Sequence, residues 1–243
     1  MDYEIRQLSP MQRMASRNML RMVQESAGVT VHGEFPADGL VEFQDERNRD
    51  RRSRGLDRIT PTHLLVKCLA VALKRHPSLN AHFDGSDLKC FRSSNIGLAV
   101  ATDDGDLIVP VIRAADTLSL DEVAACARDL AGRARSGKLQ LAETRGATFT
   151  LSSVAGFPSV LFATPVVPLP QVAILAVGAI RQAPVAAHGQ LGIGHVLPVS
   201  LSFDHRPING AAASAFLETL SRIVGDPAEH LTSTETQTGK TKT

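Results

Sequence analysis

Cysteine is scarce in the 243-residue sequence. Its three cysteines, Cys68, Cys90 and Cys126, lie far apart and form no paired motif. That pattern excludes a disulfide framework and suits free thiols in a reducing compartment, with Cys68 and Cys126 read as small helix-packing residues. Net charge is nearly absent as well: 26 Lys and Arg stand against 25 Asp and Glu, a formal +1, with no sustained basic stripe. A nucleic-acid surface is thereby excluded. No apolar run reaches the ~18 residues a membrane helix needs. The opening Met-Asp-Tyr-Glu-Ile-Arg also lacks the charged-then-apolar layout of a signal peptide, so the reading is a cytosolic protein with no membrane partner.

What the chain does have is ample apolar content, 43% of its residues, enough for a sizeable core in a single domain. Helix starts are written at Ser9-Pro10, Thr60-Pro61 and the Ser119/Glu122 pair, each a capping residue ahead of apolar residues at helical spacing. The first helix carries Met11, Met14, Ala15, Met22 and Val23 near helical spacing and is read as amphipathic, serving core or subunit packing. Between the helices lie alternating runs. Val29 to Phe35 is one strand, Asp84-Gly85 and Asp104-Gly105 mark hairpin turns, and Ala147 to Ser153 and Val172 to Val177 are further strands. Pro110 is placed at an edge or bulge because a central strand needs its missing N–H. Val185 to Gly194 reads as a weak hairpin, with His188 and His195 as surface or packing residues. The Arg-dense run from Asp45 to Arg58 is read as a solvated helix and loop, with the alternative that one or two of its arginines grip phosphates. Residues 232–243 form a Thr, Ser and Lys tail too polar to bury and are expected to be disordered.

The most informative stretch is Ser200 to Gly210. An alternating apolar run from Val196 to Phe203 ends in Asp204, His205 and Arg206, then Pro207 and Gly210 force a turn into a helix carrying Ala212, Phe216, Leu220 and Ile223. His205 therefore sits on a strand-to-helix corner, where a histidine serves either as an ion-pair member or as a general base. Ser152 and Ser153, at the end of another strand, read on their own as turn residues.

This stretch resembles the signature of the acyltransferase component of 2-oxo acid dehydrogenase complexes: Asp-His-Arg, two residues, an acidic or amide residue, and Gly. Chloramphenicol acetyltransferases share its His and Gly spacing. The segments His76 to Ala81, Ile96 to Thr102, Leu107 to Arg113, Phe149 to Leu151 and Gln171 to Leu175 resemble the same family in order, over about Glu4 to Leu231. The resemblance implies an α/β fold, a two-layer α+β sandwich of chloramphenicol acetyltransferase type with a mixed sheet packed with helices, built as a trimer with active sites between subunits. It also implies His205 as general base and, by position after Phe-Thr-Leu, Ser152 as oxyanion donor, with Ser153 the competing assignment. Asn209 stands where many relatives have aspartate; it can orient a neighbour but supplies no charge.

The resulting expectation is an acyltransferase domain over residues 1–231 with no lipoyl or subunit-binding domain. Its function is read as a stand-alone acyl-CoA-dependent O-acetyltransferase, with His205, Ser152 and Asn209 as catalytic residues and no metal. Acetyl-CoA is the expected co-substrate, nothing is bound covalently, and the CoA-binding residues are not assigned. The acceptor is expected to be a small-molecule hydroxyl, as in tetronate-type natural-product biosynthesis, and the assembly a homotrimer or a higher assembly of trimers. The alternatives are a dihydrolipoyllysine-residue acyltransferase core and a non-catalytic trimeric scaffold.

Overall fold

The structure is a computed structural model and describes residues 1–231 other than Asp104 and His188, so the predicted tail at 232–243 and the readings at those two positions lie outside the described residues. The elements run α1 (Pro10–Gln24), β1 (Gly28–Pro36), α2 (Asp38–Ser53), α3 (Pro61–Arg75), β2 (Ala81–Phe83), β3 (Leu88–Cys90), β4 (Ile96–Leu98), β5 (Val100–Ala101), β6 (Leu107–Ile108), β7 (Val111–Ile112), α4 (Leu120–Arg135), β8 (Phe149–Ser153), β9 (Ala173–Val177), β10 (Arg181–Ala187), β11 (Gln190–Asp204) and α5 (Gly210–Gly225). The helix starts follow their caps. Ser9, Thr60 and Ser119 each close a capping box at the head of α1, α3 and α4. Asn209 caps α5, its Oδ1 accepting from the Ala212 amide at 2.8 Å. Each cap satisfies a backbone donor that a helix cannot satisfy internally.

The main sheet has the order β1-β11-β9-β8-β4-β7, with β10 pairing the first half of β11. It is mixed: β8 runs parallel to both β4 and β9, and the other neighbours are antiparallel. Strand β11 organises it. Its 15 residues pair with β10 over 190–196 and with β1 over 196–204, and then carry Phe203 and Asp204 to the end of the sheet. Leu197, Val199, Leu201 and Phe203 alternate toward the helices and join Leu64, Leu69, Phe149, Phe216 and Leu220 in the core. Burying a side chain of that size stabilises by about 1.5–3 kcal/mol, which is why these strand positions and helix faces find each other. Among the described residues no helix is long and apolar enough to cross a membrane.

The hairpin expected at 185–194 is present and extends further, β10 and β11 pairing antiparallel from Arg181↔Val196 to Ala187↔Gln190. One sequence expectation changes. The Arg-dense run is only partly solvated, because Asn48 bonds both the N–H and the carbonyl of Ile59, and Arg51 is buried against the Asp57 carbonyl and paired with Asp121. Pro110 lies between β6 and β7 next to the edge strand, its carbonyl accepting from the Leu98 amide at 2.8 Å.

Candidate functional site

Because side chains alternate across a strand, the residues between the core positions of β11 face the opposite side of the sheet. Register carries that face across four strands. Ser152 aligns with Ala176, Ala176 with Ser200, and Ser200 with His32; one row on, Thr150, Ile174, Ser202 and Thr30 align in the same way. This outer face is rich in hydroxyls, and most are paired. Thr30 and Ser202 share a 2.7 Å hydrogen bond, Thr150 donates to Gln171 Oε1 at 2.8 Å, and Ser200 Oγ bonds His32 Nδ1 at 2.8 Å and accepts from the Ala163 amide.

Ser152 is the exception. Its hydroxyl has no hydrogen-bond partner among the described residues, and it lines a cavity of about 420 Å³ whose walls include Gln12, Met19 and Met22 of α1 with Pro165 and Val166. A second cavity of about 330 Å³, lined by Thr30, Ser202 and Gly28, shares Pro165 and Val166 with the first, so a trough runs along this face toward the end of β11. Ser153 faces the other way, into a cleft by α3 and α4, and its Oγ accepts from the Ala155 amide at 3.3 Å. The part played by α1 was not legible in the sequence beyond its amphipathic spacing. Thr150 was signalled by its place two residues before Ser152.

His205 follows directly on β11 and is exposed. Its backbone N–H donates to the Ala27 carbonyl at 2.8 Å, and its ring lies 5.5 Å from that of Phe203, with no hydrogen bond to the imidazole among the described residues. The corner is held by Asp204, which is 1% exposed. Its carboxylate accepts from the Ala27 amide, the Arg206 amide and the Arg206 guanidinium, with the Nη2 contact at 2.6 Å. Burial alone would raise the Asp204 pKa, but the hydrogen bonds from Arg206 and Ala27 outweigh it and hold the carboxyl below its ordinary value. The Arg206 guanidinium in turn lies 5.0 Å from the centroid of Phe83. Asn209 is committed through Oδ1 to capping α5.

The structure does not bring His205 and Ser152 together within one chain. His205 is five residues past Ser200 along β11, and Ser152 is two strands across from Ser200. At about 3.4 Å per residue and about 4.8 Å per strand, the two are roughly 19 Å apart. Apolar side chains are exposed on α1 and β11: Met14, Leu20 and Val23 are 60%, 59% and 62% exposed, and Leu191 and Ile193 86% and 77%.

The family described as 2-oxoacid dehydrogenases acyltransferase (catalytic domain) matches residues 1–232. A curated relative, the dihydrolipoyllysine-residue succinyltransferase component of the 2-oxoglutarate dehydrogenase complex of Azotobacter vinelandii, is 35% identical over 227 residues, which are 91% of this chain and 56% of that protein. The chain thus spans about half the length of the curated relatives it matches. A crystal structure of the dihydrolipoamide acetyltransferase of Azotobacter vinelandii, studied for the catalytic roles of a serine, a histidine and an asparagine, superposes with a TM-score of 0.88 at 35% identity, covering 95% of this chain and 94% of that one. Chloramphenicol acetyltransferase shares the fold, with a TM-score of 0.53 at 12% identity over 86% of this chain and 94% of that chain. These matches overturn the expectation of a stand-alone O-acetyltransferase acting on a small-molecule hydroxyl, because relatives aligned over nine-tenths of the chain are named as dihydrolipoyllysine-residue acyltransferases.

Proposed function

The chain belongs to the 2-oxoacid dehydrogenase acyltransferase catalytic-domain family, and from that premise we propose that it moves an acyl group between a dihydrolipoyl thiol and the thiol of coenzyme A. In this reading His205 takes the proton from the attacking thiol, and the thiolate adds to the thioester carbonyl. The tetrahedral intermediate carries its negative charge on the former carbonyl oxygen, where the Ser152 hydroxyl donates a hydrogen bond. Collapse expels the second thiolate, which recovers the proton from His205, so charge and protons balance without a covalent acyl-enzyme. One oriented donor of this kind is worth about 3 kcal/mol in the transition state.

The observation that carries the reading is the unpaired Ser152 hydroxyl in a walled trough that has no histidine among the described residues lining it. A trimer that sets His205 of one chain against Ser152 of its neighbour completes the site, and the exposed apolar positions of α1 and β11 supply surface for such contacts. Asp204 and Arg206 fix the corner so that His205 enters the shared site with its imidazole free. Asn209, four residues on, caps α5 at the same corner and keeps its amide N–H₂ for a neighbouring polar group.

The test is an acyl-CoA panel assayed for free CoA release with dihydrolipoamide as acceptor. Release that depends on both dihydrolipoamide and His205 supports the reading; a folded protein that transfers no acyl group to dihydrolipoamide from any member of the panel contradicts it.

A further inference from the structure

We propose that the trough beside Ser152 selects an uncharged aliphatic acyl group and turns away a dicarboxylic one such as succinyl, with Asp106 as the residue that sets this choice. That selection presumes the acyl-transfer reading, which puts the thioester carbonyl at the Ser152 hydroxyl and the acyl chain in the cavity of about 420 Å³ around it. Relatives are named for both succinyl and acetyl transfer, so kinship leaves the acyl group open. The wall of the cavity decides it.

That wall is mostly apolar. Met19 and Met22 of α1 line it together with Leu107, Val109, Val166 and Ile174. Among the described residues, neither this cavity nor the adjoining one at the end of β11 is lined by a lysine, an arginine or a histidine. His205, brought in by a neighbouring chain as the base, carries no charge before the thiol's proton moves. A distal carboxylate placed here would exchange water for apolar surface with no counter-charge, which is strongly unfavourable. A methyl-terminated chain gains from the same contacts, each buried methylene strengthening its binding roughly fourfold.

Asp106 adds repulsion to that lack of attraction. It is the one ionisable side chain among the described residues lining the two cavities. Its Oδ1 accepts from Gln12 Nε2 at 3.1 Å, and Gln12 Oε1 in turn accepts from the Ser9 amide at the head of α1. The Thr102 hydroxyl holds the Asp106 backbone, accepting from its amide and donating to its carbonyl, both at 3.1 Å. The carboxylate is thus set against the first turn of α1. The positive end of that helix would otherwise draw an anion, and it already faces one. A second carboxylate in the same cavity meets like charge beside it, which lowers its affinity relative to a neutral chain of similar length.

Binding and turnover test this separately. Calorimetric titration of the purified protein with butyryl-CoA and with succinyl-CoA, each referenced to CoA itself, gives the contribution of the acyl group without any reaction. The dihydrolipoamide assay gives kcat/KM for the same two donors. Butyryl is expected to exceed succinyl about 100-fold in kcat/KM and about tenfold or more in affinity. Asp106→Asn removes the charge while keeping an oxygen for Gln12 Nε2, and Asp106→Ser is a second, smaller neutral replacement. Each should move the succinyl-to-butyryl ratio toward succinyl by about tenfold. Equal affinity for the two donors in the unmodified protein, or a ratio that both variants leave where it was, overturns the selection. A failure of the transfer reading looks different: no acyl group reaches dihydrolipoamide from either donor, while the titrations still show whether the cavity distinguishes them.

Discussion

The two faces of the main sheet are built from alternate residues of the same strands, yet they differ in almost every property. On the helix side, Leu197, Val199, Leu201 and Phe203 of β11 meet Phe149, Phe216 and Leu220 in a closed apolar layer. On the outer side, Ser202, Thr30, Thr150 and Ser152 line a trough walled by α1 and residues 164–168. Apolar burial on one face anchors the strands, and their register sets the positions of the polar groups on the other. The lesson is a division of labour: substitutions on the helix face should act on stability, and those on the outer face and at the strand end should act on turnover.

The largest effect should come at the strand end. His205→Ala is expected to lower turnover with dihydrolipoamide by roughly 10²–10⁴-fold, the usual range for a lost general base, while thermal unfolding stays near the unmodified value because the ring is exposed and touches the core through Phe203 alone among the described aromatic contacts. Near-normal turnover in the folded variant would remove His205 from the chemistry. Phe203→Ala, two residues earlier and fully buried, should do the reverse. A loss of about 3–5 kcal/mol in unfolding free energy is expected by denaturant titration, with the surviving folded fraction still active. A Phe203→Ala protein of normal stability would break the contrast between the faces.

The pair Ser152 and Ser153 sharpens it. Ser152→Ala should reduce turnover about 100-fold with little change in Km, and Ser153→Ala should stay close to unmodified turnover, since its hydroxyl faces the opposite side and bonds the Ala155 amide. If Ser153→Ala is the damaging change, the outer face is not where the oxyanion forms.

That choice was beyond the sequence, and the reason is physical. In a strand, a shift of one residue reverses the face, and only the pairing of Ser152 with Ala176 and of Ala176 with Ser200 fixes which side each hydroxyl takes. Helix starts were legible because caps are local: Ser9, Thr60 and Ser119 each bond within three residues. Arg51 was misread as solvated because its partners, the Asp57 carbonyl and Asp121 of α4, come from a loop and a helix that only the folded chain brings together. The family was legible in Asp204, His205, Arg206 and Gly210, whereas the acceptor was not. The expected hydroxyl acceptor rested on no residue of the site, and the named relatives overturned it.

The smallest expected effect concerns His63. Its folded pKa of about 4 lies below the ordinary histidine value because burial and then Arg128 and Arg51 disfavour the charged ring. Between about pH 6.5 and about pH 4 the unfolded chain binds a proton at this position that the folded chain does not, so its contribution is present above that window and lost as pH falls through it. Denaturant unfolding at pH 7 and at pH 4.5 should show a smaller acid loss in His63→Gln than in the unmodified protein. An equal loss would mean the ring protonates freely when folded.

The central claim is that the chemistry needs two chains, because His205 and Ser152 stand roughly 19 Å apart in one. Mixing the inactive His205→Ala and Ser152→Ala proteins under conditions that exchange subunits tests it directly. Each mixed contact carries either both defects or neither, so intact sites should reappear. Activity with dihydrolipoamide well above the sum of the separate variants is the predicted result. Subunit exchange demonstrated by mass spectrometry with no recovered activity would contradict the account and place both residues in a site of one chain.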